Sequence, residues 1–108
     1  MATTDPPFDQ SAYFEALALP RVWYAAQAVV AELMQRRSLL EDYIQTRGRT
    51  DWVFVEESID LELGPDPTWE EHVAGVGLVI QALRLRWPSI SPPTWFVRET
   101  WSTVGVPP

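Results

Sequence analysis

Cysteine, lysine and asparagine are all missing from the 108-residue chain. Without cysteine there is no disulfide scaffold and no thiolate for zinc, redox or nucleophilic chemistry. Without lysine there is no amine for a Schiff base and no side chain of the P-loop kind for phosphate. All eight basic residues are arginines, at positions 21, 36, 37, 47, 49, 84, 86 and 98. A GC-rich genome explains that bias, because the Lys and Asn codons are AT-rich. The composition suits a bacterium of that kind, or one of its phages or mobile elements.

Positive charge is also scarce, with a formal net charge of −7. Nucleic-acid binders present a basic face to phosphates, so this balance argues against direct DNA or RNA binding. No apolar run approaches the roughly 18 residues of a membrane span, and no basic-then-apolar segment opens the chain. The expectation is a cytoplasmic protein without a membrane partner. The motifs H-E-x-x-H and G-x-S-x-G are absent, as are glycine-rich phosphate loops and EF-hand loops. No cofactor is implied.

Apolar residues are plentiful. They make up 46 % of the chain and include six Trp, four Phe and three Tyr, enough for one folded domain. Residues 1–8 read as a flexible lead-in, residues 9–104 as the domain, and residues 105–108 as a tail. A short helix is predicted from Asp9 or Ser11 to Leu19, with Phe14, Leu17 and Ala18 as its buried stripe. A long second helix follows from Pro20 to Thr46. There Val22, Ala26, Val29, Val30, Leu33, Leu40, Tyr43 and Ile44 recur at three- and four-residue steps, interrupted by Arg36 and Arg37. Gly48 suits its C-terminal cap.

From Trp52 to Leu63 the period changes. Val53, Val55, Ile59, Leu61 and Leu63 fall on odd positions, and Glu56, Ser58, Asp60 and Glu62 on even ones, which predicts a strand with a bulge near Glu57. After the turn Gly64-Pro65-Asp66-Pro67, a central helix is predicted over Thr68–Trp87. Thr68 and Glu71 have capping-box spacing, and the helix is apolar nearly all round, as buried helices are. Gly75 and Gly77 within it signal close approach of a neighbour. Thr94–Val104 reads as a second strand. The fold class expected is therefore α+β: an N-terminal helical pair with a long second helix, then strand–helix–strand forming a small sheet packed on the helices. The crossover would be right-handed, with an unpaired sheet edge.

Asp51, Glu56, Glu57, Asp60, Glu62, Asp66, Glu70 and Glu71 place eight of the fifteen acids within 21 residues, and no Arg lies between Thr50 and Leu83. On a strand, Glu56, Asp60 and Glu62 would form a row of carboxylates able to meet a basic surface, or merely a solvated face partly neutralised by Arg98. Trp52 and Phe54 lie on the same face, and aromatic residues beside carboxylates suit recognition of an arginine-bearing partner. Most of the tryptophans fit a core role.

The function expected is a small, acidic, non-enzymatic interaction module: an inhibitor, an antitoxin- or immunity-like blocker, or an adaptor. It would dock Trp52, Phe54, Glu56, Asp60 and Glu62 on the basic surface of another protein. One alternative is a structural or assembly subunit such as a phage particle component, with a homo-oligomer formed through the long helix or the sheet edge. Another is a small metal-dependent or acid–base enzyme around His72, the only histidine, which neighbours Glu70 and Glu71.

Overall fold

Ten consecutive residues of one helix, Glu71 to Ile80, are buried, and the other helices are arranged around them. The structure is a computed structural model that describes residues 9–96. Those residues are 77 % helical and contain no strand. The elements are α1 (Gln10–Leu17), α2 (Pro20–Gln35), α3 (Arg37–Arg47), α4 (Trp52–Leu63), α5 (Trp69–Arg86) and the single turn α6 (Thr94–Phe96).

The predicted α+β class is therefore overturned in favour of an all-helical fold among the described residues. Trp52–Leu63, expected as a strand, is helix α4. Its start is fixed by Asp51, whose carboxylate accepts from the Phe54 N–H at 3.2 Å. Trp52, Val55, Ile59 and Leu63 are buried at steps of three, four and four residues. Val53 and Leu61, which alternation would have buried, are 64 % and 82 % exposed. With no strand among the described residues, there is among them no bulge at Glu57, no crossover and no sheet edge. Of the second predicted strand, Thr94–Phe96 forms α6, and residues 97–104 lie outside the described residues, as do Arg98, the lead-in 1–8 and the tail 105–108.

The helix predicted over Pro20–Thr46 breaks at Arg36, which has φ −110° and ψ 37° and donates its N–H to Leu33 at 3.0 Å. Unbroken, it would be about 40 Å long, longer than the 38 Å largest dimension of the molecule. The break returns Leu40 and Ile44 of α3 to the core. Gly48 then caps α3 at φ 70°, in the left-handed region. In α1 the buried residues are Tyr13 and Ala16, while Phe14 faces solvent.

The central helix is as predicted. The Thr68 hydroxyl accepts from the Glu71 N–H at 3.1 Å, and the Glu71 carboxylate accepts from the Thr68 N–H at 3.0 Å. Glu70 and Glu71 lie in its first turn and Arg84 and Arg86 in its last, matching the helix dipole at both ends. α5 packs against α1, α2 and α4. Gly75 allows α4 to close in: a Cβ there would sit 2.9 Å from Ile59 Cγ2.

The contacts also fix directions. Arg21 pairs with Glu71, and Asp9 donates its N–H to Glu70, so α1, α2 and α5 all begin at the same end of the molecule. Asp60, near the end of α4, meets His72 at that end too. At the opposite end Arg36 lies over Phe54, and the Trp52 indole donates to the Ser91 carbonyl.

Candidate functional site

The short connection from α4 to α5 brings the last turn of one helix beside the first turn of the next, and the chain's acids gather there. Asp60, Glu62, Asp66, Glu70 and Glu71 share this end with Asp9. Arg21 offsets one of them by pairing with the buried Glu71 carboxylate.

At the inner side of this end sits His72, buried between carboxylates and indoles. Its Nδ1 is 2.7 Å from Asp60 Oδ1, and its Nε2 is 3.4 Å from Glu56 Oε1. Glu56 and Asp60 are four residues apart, so one flank of α4 presents both. The Trp95 indole N–H donates to Glu56 Oε2 at 3.0 Å, tying α6 to the same carboxylate. Trp69 stacks on the imidazole with centroids 5.4 Å apart and planes 17° from parallel, and Trp95 closes the other contact at 5.7 Å. Each ring nitrogen thus faces one carboxylate, Nδ1 at hydrogen-bond distance and Nε2 at ion-pair distance.

This arrangement links three helices through one side chain. The two carboxylates meet different nitrogens of the ring rather than converging on one point, and among the described residues no group of three or more His, Asp or Glu forms a metal-ligand set. A depression of about 320 Å³ opens beside His72, lined by Asp60, Pro67, Thr68 and Trp69.

The five residues singled out from the sequence do not share one face. Trp52 is 2 % exposed and belongs to the core. Phe54 is half-buried, with the Arg36 guanidinium 5.5 Å from its ring centre. Glu56 and Asp60 turn toward His72, and Glu62 is exposed on another flank. Helical rotation of about 100° per residue separates what strand alternation would have aligned.

The outermost stripe of α4 is instead Val53, Glu57 and Leu61, at i, i+4 and i+8, all three exposed. Sequence reasoning passed over it because alternation placed Val53 and Leu61 inside. It also missed Trp69 on His72, although Trp-x-x-His spacing on a helix is the signal for that contact. No family model matches the chain, and no curated protein or solved structure matches it either.

No helix among the described residues is long and apolar enough to cross a membrane.

Proposed function

We propose that the protein is a small, non-enzymatic interaction module that docks the acidic end of α4, with its outer stripe, on a basic surface of another protein. The observation that supports this reading is the polarity of α4. Asp51 caps its start as the dipole favours, but its last turn has no base and carries Asp60 and Glu62 instead. Asp60 is compensated by His72; the exposed Glu62 opposes the helix dipole, whereas α5 in the same molecule obeys it at both ends. A placement that costs stability is the kind retained for function.

The neighbouring exposed side chains add to the argument. Val53 and Leu61 flank Glu57 in the open, giving two aliphatic anchors beside carboxylates. Apolar contact holds a partner, and charge selects and steers it. An inhibitor, a blocker of a basic toxin surface or an adaptor would each use such a face. The reading places the protein in the cytoplasm, and the chain's net charge of −7 favours a protein partner over nucleic acid.

The test is affinity capture with the native chain and with the variant Glu57→Gln/Leu61→Ala/Glu62→Gln. All three positions are exposed, so the variant keeps its fold. A basic protein retained by the native chain, released by added salt and lost by the variant supports the reading. Equal retention by both chains removes α4 as the docking face, and retention of nothing at low salt removes the reading altogether.

A further inference from the structure

A groove of about 710 Å³ runs between α2 and α5, on a face to which α4 contributes no residue. Ala26 and Val30 of α2 and Leu78 and Ala82 of α5 form its walls. Trp23 and Leu85 stand at its margin, 47 % and 86 % exposed. Its polar residues are two glutamines and Arg84, with no carboxylate among them, although the chain carries fifteen acids. An apolar face of this kind on a small acidic protein marks an association surface.

We propose that the occupant is a second copy of the same chain, packed antiparallel about a two-fold axis. A two-fold interface must be complementary to itself, and this face holds both the concave groove and, at its margin, the protruding side chains that would fill one. Charge selects the same partner and the orientation. A basic partner finds no carboxylate in the groove to meet. Two copies of a chain with net charge −7 repel least where neither presents an acid.

Orientation follows from the ends of the molecule. α2 and α5 begin together at the acidic end, and Arg36, Arg37, Arg84 and Arg86 lie where they finish, the first two offset by Glu32 and Glu41. Antiparallel copies set the acidic end of each beside the arginine end of the other and oppose their helix dipoles. Parallel copies would stack the two acidic ends.

Sedimentation equilibrium from micromolar to millimolar concentration tests the association. The native chain is expected to move from 12.3 kDa to twice that mass. Leu85→Arg, at an exposed position that leaves folding intact, is expected to stay at the monomer mass with an unchanged far-ultraviolet circular dichroism spectrum. A native chain that is monomeric throughout overturns the proposal, whether a foreign helix or a segment of the same chain then takes the groove. So does a dimer that Leu85→Arg leaves intact, or assembly beyond two copies.

Spin labels on Gln35→Cys, exposed at the end of α2 and on the groove-side stripe of Gln27 and Ala31, test the orientation in a chain with no other cysteine. Antiparallel copies place the two labels roughly 25 Å apart, from the 1.5 Å rise per residue over the stretch from Gln27 to Gln35 on either side of the groove centre. Labels about 15 Å apart or closer would overturn the antiparallel arrangement.

Discussion

Asp60 Oδ1 lies 2.7 Å from His72 Nδ1, joining the last turn of α4 to the first turn of α5. The imidazole's other nitrogen faces Glu56, which also accepts from Trp95, so one buried ring holds α4, α5 and α6 together. Its removal leaves Glu56 with the Trp95 indole alone, hands Asp60 to water, opens a cavity and unstacks two indoles. His72→Ala is therefore expected to cost about 3 kcal/mol in urea unfolding. Asp60 is half exposed, so water takes over part of its role and Asp60→Asn is expected to cost about 1 kcal/mol. Equal losses from the two variants would mean that the stacking and the Glu56 contact contribute nothing.

The close approach of α4 to α5 makes a second prediction, one of sign. Alanine at position 75 favours the helix by about 1 kcal/mol relative to glycine. Its Cβ, however, would sit 2.9 Å from Ile59 Cγ2 and 3.3 Å from Ile59 Cδ1, atoms of a fully buried side chain. Overpacking of that kind costs about 1–3 kcal/mol. Gly75→Ala is expected to destabilise the native chain and to stabilise the Ile59→Ala variant, where the colliding atoms are gone. Denaturant melts of the four chains read the reversal, and the same sign in both backgrounds would refute it.

Tyr13 provides a third, through pH. Burial pushes its phenol above the ordinary value of 10.0, because the tyrosinate loses water on folding. A group whose folded value is raised binds its proton more tightly in the native state. Its contribution is therefore fully present below the unfolded value and lost as pH rises through the folded one. The native chain is expected to lose stability above about pH 10, at no more than about 1.4 kcal/mol per pH unit from this group. Tyr13→Phe, measured against its own neutral-pH stability, should lack that part of the loss. Parallel alkaline curves for the two chains would show that Tyr13 is not its source.

Which parts of this were legible in the sequence follows from how local each signal is. The capping box of α5 uses two residues three apart, and its apolar surface on both sides means burial in any fold, so the central helix could be read directly. α4 was ambiguous because Val55, Ile59 and Leu63 satisfy a period of two and a helical step of four alike. The residues that separate the two readings are Trp52, which alternation puts outside, and Leu61, which it puts inside; the structure reverses both. Asp51 as a cap and the glutamates that follow were the helical signals, since Glu is depleted in strands. The site depended on that choice. Glu56 and Asp60 become neighbours only on a helix, and Trp95 reaches Glu56 from 39 residues away, a pairing that no local pattern encodes.

Glu62 yields the last prediction, in which stability and function are expected to move in opposite directions. It is exposed in the final turn of α4, where the helix dipole is negative and no basic residue compensates. Glu62→Arg converts an opposing charge into a favourable one and is expected to stabilise the chain by about 0.5 kcal/mol at low ionic strength, with the gain fading as salt is raised. The same change removes a carboxylate from the proposed docking face and adds a like charge toward a basic partner, so capture of that partner is expected to fall. Thermal melts at low and high salt read the first effect and binding titrations the second. A chain made more stable with binding unchanged would mean that the acids at the end of α4 serve no partner; a chain made less stable would remove the dipole argument on which the docking face rests.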